Sequence, residues 1–174
     1  MVIAIVGEIG ATVWIIHGQE RYQWSPALVG LSLAGLGLFH AVMQGVASGP
    51  ISKWLGETRA TLFAISCDAA ACVLLAFAGQ GWMAIALIPL FCLGGVGDPA
   101  LLSILSRQVD DEHQGRLQGV LASATSMAAI VGPPLFAATY SVTRDLHPGM
   151  IWMMGGALYL ACTPVLMKFR GRGA

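Results

Sequence analysis

Charge is scarce in this sequence. Of 174 residues, nine are Lys or Arg and nine are Asp or Glu, so only 10% are charged and the formal net charge is zero. An ordinary soluble domain carries roughly 25%. A disordered chain needs low hydrophobicity and surplus charge, whereas 56% of these residues are hydrophobic. A nucleic-acid partner needs uncompensated basic residues, and none are left over, so no such partner is expected. A water-facing surface around this much apolar material would need many more charged groups. Cysteine is sparse too. Cys67, Cys72, Cys92 and Cys162 have no CxxC or metal-ligand spacing, so they read as reduced packing residues, and no metal site is expected. No phosphate-cradling Walker loop is present, and Gly94–Gly97 lies in an apolar stretch with no strand before it. No lipidation motif marks either end. What remains is an all-α integral membrane protein, read as one domain with little mass outside the bilayer.

A membrane helix needs about 20 mostly apolar residues. Charged and turn residues divide the chain into six such stretches, at about 2–17, 27–48, 60–78, 82–105, 117–140 and 150–167. Long runs of Ala, Leu and Gly do not alternate as the strands of a transmembrane barrel would. Pro26 stands just before the second stretch, where its missing N–H costs nothing. The link Gly79-Gln80-Gly81 predicts an antiparallel hairpin between the third and fourth spans. The first stretch lacks a basic leader and carries Glu8 mid-run, so it reads as a short helix and not a secretory signal. Pro89 and Pro99 are expected to interrupt the fourth span and Gly132-Pro133-Pro134 the fifth. Gly45 and Gly49 form a GxxxG, extended upstream by Gly35 and Gly37, which predicts close helix packing.

Six spans place the two termini and the 48–60 and 106–116 loops on one side. That side carries Lys53, Arg59, Arg107, Arg116, Lys168, Arg170 and Arg172, against Arg21 and Arg144 opposite. The positive-inside rule then predicts cytoplasmic termini. Trp14, Trp24, Trp82 and Trp152 fall near outer span ends and Trp54 near the inner face, as an aromatic belt would.

The chemistry is sought where the sequence tolerates a penalty. An ionisable group at mid-bilayer costs several kcal/mol on insertion scales. Glu8, His40, Asp68 and Asp98 are such groups. At 1.5 Å per residue, Asp68 lies roughly 12 Å into its span. His40 and Glu8 fall near mid-span, and Asp98 is nearer the inner end. Each is a candidate proton carrier, with hydrogen bonding to a neighbouring helix as the alternative. Gln44 follows His40 at i+4 and Thr12 follows Glu8 at i+4, which gives polar stripes suited to a cavity or to interhelical bonding. The four ionisable groups form no recognised nucleophile–base pair or metal cluster, so no enzymatic reaction is expected.

Three stretches together resemble the major facilitator superfamily, and within it the tetracycline/proton antiporters. Gly49-Pro-Ile-Ser-Lys53-Trp-Leu-Gly56-Glu-Thr-Arg59 is similar to the superfamily's cytoplasmic gating loop, in the weaker form seen in second halves. Gly94-Gly-Val-Gly-Asp98-Pro-Ala-Leu, followed by Ser106-Arg-Gln-Val-Asp-Asp-Glu-His-Gln-Gly-Arg-Leu-Gln-Gly119, resembles the stretch around the tenth-to-eleventh-helix loop. His40-Ala-Val-Met-Gln44 and Cys67-Asp68 resemble the eighth and ninth helices.

The resemblance implies a C-terminal six-helix half of a major facilitator fold in a bacterial inner membrane. It implies export of tetracycline as a divalent-metal chelate, with an ion such as Mg, in exchange for protons. His40 and Asp68 would couple protons. Glu8 would take a drug-site position usually held by Gln, adding negative charge and favouring a more cationic substrate. Thr12, Gln44 and Asp98 join it as candidate substrate-binding residues. Gly49, Lys53, Gly56 and Arg59 would form the gating loop. No cofactor is implied. The partners would be the bilayer, drug, protons, and an N-terminal half or a second copy. A non-transporting truncated fragment, or a transporter of another small molecule, are the alternatives.

Overall fold

The computed structural model describes the backbone of residues 2–170 and the side chains of residues 6–164 and 167. Lys168, Arg170 and Arg172, counted above among the basic residues of one side, lie outside the described side chains. The described residues are helical throughout, joined by short turns. The first helix, α1, is Val2–Tyr22, and α2 is Pro26–Val42. A π-helical turn at Met43–Ala47 joins α2 to α3, Ser48–Leu55. Next come α4 at Glu57–Ala76, α5 at Gly81–Ala86, α6 at Ile88–Gly94 and α7 at Gly97–Ser106. A 3-10 turn at Asp111–His113 leads into α8, Gln114–Thr143, and α9 is Met150–Arg170. Four continuous columns among the described residues are long and apolar enough to cross a membrane: Pro26–Leu55, Glu57–Ala76, Gly81–Ser106 and Asp111–Thr143.

Local chemistry explains the ends and breaks. Pro26 opens α2, and the Ser25 hydroxyl accepts the Leu28 N–H at 3.3 Å, a standard N-cap. Gly56 closes α3 and opens α4 with φ +78°, a conformation a Cβ disfavours. Its N–H bonds the Ser52 carbonyl, and its own carbonyl accepts from Ala60. The Gly81–Ser106 column is cut at Leu87 and again at Gly95–Val96, near the two prolines that remove backbone donors.

Packing places α4 at the centre, against α6, α7 and α9. The first helix lies against α8, α9 and α2, and α2 against α6. At one end the bundle closes over an aromatic cluster of Trp14, Trp24, Trp152, Phe91, Tyr22, Tyr140 and His17. Trp14 Nε1 donates to Ser32 Oγ at 2.9 Å, and Tyr22 Oη to the Ala78 carbonyl at 2.9 Å. At the other end Glu57 Oε1 accepts from Arg107 Nη2 at 2.8 Å and from Ser103 Oγ, tying the start of α4 to the end of α7.

Several expectations are corrected. The first helix continues past His17 to Tyr22, because Gln19, Glu20 and Arg21 extend it as ordinary helix formers. Gly49 and Lys53 are not in a loop. They belong to α3, which the π turn joins to α2, and only Gly56 interrupts the run before Arg59 in the first turn of α4. Gly132-Pro133-Pro134 does not break α8. The helix runs through both prolines, and Pro134 faces outward, where a missing backbone bond disturbs no packing. Three of the tryptophans do not form a belt. Trp14, Trp24 and Trp152 are buried in the aromatic cluster, and only Trp82 and Trp54 are exposed. The glycines of α2 and its extension make no close contact: Gly35, Gly37, Gly45 and Gly49 each have open space where a Cβ would stand. Close approach occurs instead at Gly94, Gly95 and Gly97, and at Gly18, Gly81, Gly132 and Gly149.

Candidate functional site

Between the helices lies a cavity of about 640 Å³. It receives Glu8 from α1, His40 from α2, Asp68 from α4 and Asp98 from α7. Four polar residues placed inside apolar helices thus converge on one space, which isolated interhelical bonds would not require. Asp68, His40 and Glu8 are half-buried, and Asp98 is exposed to the cavity. The lining contains three carboxyl groups and one imidazole, and no Lys or Arg among the described residues. When ionised, such a cavity carries a negative field that favours a cationic guest and disfavours a free anion.

The remaining walls are mostly apolar: Phe91, Leu33, Leu36, Leu101 and Leu121 are among them. Apolar walls with a few convergent polar groups suit an amphipathic small molecule. Tyr159 of α9, Thr125 of α8 and Cys72 of α4 also line the cavity; the first two were not singled out from the sequence, and Cys72 was read there as a packing residue. Cys72 was within reach of the same argument that linked Gln44 to His40, since it follows Asp68 at i+4. Tyr159 carries a polar group in an apolar run, the same kind of signal as His40.

The broken column supplies the wall on which two of the ionisable groups rest. An added Cβ at Gly94 would fall on the Asp68 carboxyl group. One at Gly95 would fall on the His40 ring, 2.6 Å from Nε2 and 2.9 Å from Nδ1. Glu8 is seated similarly: a Cβ at Gly132 would stand 2.8 Å from its Cβ. The Gly94–Gly97 cluster is therefore a place where side chains meet bare backbone.

Thr12 and Gln44 stand elsewhere. Neither lines the cavity. Thr12 is one turn beyond Glu8, and the face of α1 turned to the cavity ends at Ala11. Gln44 lies in the π turn, with its amide nitrogen 3.1 Å from His40 Nε2 and 3.3 Å from the Gly95 carbonyl. The gating-loop residues Gly49, Lys53, Gly56 and Arg59 are all outside the cavity lining, toward the Glu57–Arg107 end. Among the described residues no group of three or more His, Cys, Asp and Glu side chains is arranged to hold a metal ion.

Comparison with known proteins bears on this arrangement. The family model of the Major Facilitator Superfamily matches residues 1–173. The chain is 45% identical over 167 residues to the class C tetracycline resistance protein of Escherichia coli, covering 96% of this chain and 42% of that protein. It is 46% identical over 167 residues to the class G protein of Vibrio anguillarum, with the same coverage. To the class B protein of Escherichia coli it is 38% identical over 165 residues, covering 95% of this chain and 41% of that protein. The chain thus spans about two fifths of the length of the curated relatives it matches.

Proposed function

The chain belongs to the Major Facilitator Superfamily, and from that premise we propose that it is one half of a drug exporter. It moves tetracycline, as a complex with a divalent cation such as Mg, outward in exchange for protons. A second six-helix half completes the path. Likeness to tetracycline resistance proteins along 96% of the chain is the observation that carries this reading. The cavity supports it: three carboxyl groups and an imidazole among apolar walls suit a cationic chelate of an amphipathic drug. Protons and cargo enter the same acidic cavity, which is the simplest way to couple their movements. Asp68 and His40 carry the protons. Glu8 and Asp98 face the cargo. No bond of the cargo is made or broken.

The protein sits in a bacterial inner membrane with both termini in the cytoplasm. The Glu57–Arg107 end then faces the cytoplasm, in keeping with Lys53, Arg59, Arg107 and Arg116 near it and, among the described residues, Arg21 and Arg144 at the aromatic end.

Drug resistance tests the proposal. The chain is expressed in a susceptible bacterium alone, and together with the N-terminal half of the class C relative. Resistance to tetracycline is expected from the pair and not from the chain alone. Resistance from the chain alone would replace the partner half with a second copy. No resistance from either, with both chains detected in the membrane, would sink the transporter reading in favour of a non-transporting fragment.

A further inference from the structure

Two irregularities of the helical backbone face each other beside the cavity, and each has a chemical cause. In the Gly81–Ser106 column, Pro99 has no N–H, so the carbonyl four residues earlier, that of Gly95, loses its helical donor. In the neighbouring column, the π turn Met43–Ala47 carries Gln44. Such turns appear in helices mostly as single bulges, often at functional sites. The Gln44 amide nitrogen reaches the orphaned Gly95 carbonyl at 3.3 Å and His40 Nε2 at 3.1 Å. One amide therefore satisfies a buried carbonyl and orients an imidazole. Because an amide nitrogen only donates, this contact selects the form of His40 in which Nε2 is the acceptor. Next to this link, Gly94 and Gly95 leave room for the Asp68 carboxyl and the His40 ring.

We propose that Gln44, Gly94 and Gly95 are positioning residues for proton exchange: the helix break seats Asp68 and His40 on bare backbone, and Gln44 fixes the His40 tautomer through the carbonyl that Pro99 frees. This rests on the reading of Asp68 and His40 as proton carriers. Gln44 accordingly acts through His40 and does not touch the cargo. When His40 takes a proton at Nε2, the amide of Gln44 has to turn its oxygen toward the ring. The Gly95 carbonyl then loses its donor, and the break between α6 and α7 is released. The titratable groups that line the cavity with His40 are Asp98 of α7, Asp68 and Cys72 of α4, Glu8 of α1 and Tyr159 of α9.

The seats are tested on the purified chain by chemical labelling read by mass spectrometry. A water-soluble carbodiimide with an amine nucleophile labels Asp68, and diethyl pyrocarbonate labels His40. Gly94→Ala should lift Asp68 off its seat and speed its labelling several-fold. Gly95→Ala should do the same for His40, by breaking its contact with Gln44. Gly35→Ala and Gly45→Ala, where a Cβ meets open space, should leave both rates unchanged. Where Gly94→Ala prevents folding, Gly94→Ala with Asp68→Ser should restore it, because the obstructing carboxyl is gone. Unchanged rates in both seat variants, or failure of that rescue, would overturn the seats.

In the paired transporter, Gln44→Leu should lower kcat of proton-driven uptake at least about tenfold with KM for the drug unchanged, the signature of an interaction outside substrate binding. A rise in KM alone would return Gln44 to the substrate site and overturn its positioning role. Seat variants that shift labelling while no pair exchanges drug for protons would contradict the proposed function and leave the seats standing.

Discussion

Asp68→Asn is expected to abolish proton-driven exchange in the assembled pair while leaving drug binding in place. The carboxyl group lines the cavity, lies against Gly94, and has no Lys or Arg facing it among the described lining residues. Asparagine keeps the shape that fits this seat and loses the one property exchange requires, the ability to take and release a proton. The expected loss in proton-driven uptake is at least about 100-fold, in line with removal of a positioned proton-transfer group. KM for the drug should change little, because the cavity keeps its size and its other carboxyl groups. Everted membrane vesicles energised by an imposed pH gradient give both values. Uptake within twofold of the parent would remove Asp68 from the proton path.

Gly149→Ala is expected to destabilise the aromatic end of the bundle. Gly149 is buried where α9 begins, and an added Cβ would collide with the Ala76 carbonyl and stand 2.8 Å from the Ala76 Cα, at the end of α4. The obstacle is backbone, so no side-chain rotation relieves it. The glycine carbonyl also accepts the Trp152 and Met153 N–H groups that start α9, at 3.1 Å each, so the segment cannot retreat without loosening that helix. A cost of about 2–3 kcal/mol is expected from overpacking of this kind, which lowers the melting midpoint of a chain of this size by roughly 5–10 °C. Gly35→Ala serves as the control, with the midpoint within about 2 °C, since a change in an open helical position is worth under about 1 kcal/mol. Thermal unfolding of the purified chain reads both, and equal midpoints would show that the α4–α9 contact is not tight.

Which polar residues stand inside apolar helices was legible in the sequence, and facing was not. Glu8, His40, Asp68 and Asp98 could be found because an ionisable residue inside an apolar run carries a penalty that apolar neighbours do not, and all four meet in one cavity. The tryptophans fell at the expected heights, yet Trp14, Trp24 and Trp152 turn inward. Glycine at Gly18 and Gly81 makes the space that Trp24 fills, with a Cβ at Gly18 only 2.6 Å from its ring. A composition rule for interfaces has no term for such a pocket.

The same limit governs the small residues. Gly45 and Gly49 have the spacing of a close-packed helix pair, but spacing specifies only one of the two surfaces, and no neighbour approaches them. Gly94 and Gly95 lack that spacing and receive two side chains. Proline was informative where its lost donor coincided with a break, as at Pro99, and misleading at Pro133 and Pro134, where the outer surface of α8 absorbs the irregularity. Thr12 shows that an i+4 relation places two residues on one face without making that face part of the cavity.

The central claim is that this half of a transporter uses one acidic cavity for both protons and drug. Its most direct test is proton movement in everted vesicles carrying the chain and an N-terminal half, with the interior acidified and followed by a pH-sensitive dye. Adding tetracycline with Mg is predicted to draw protons out of vesicles holding the pair, and to have no effect with either half alone or with Asp68→Asn in the pair. An unchanged internal pH in vesicles that hold both assembled halves would contradict the account.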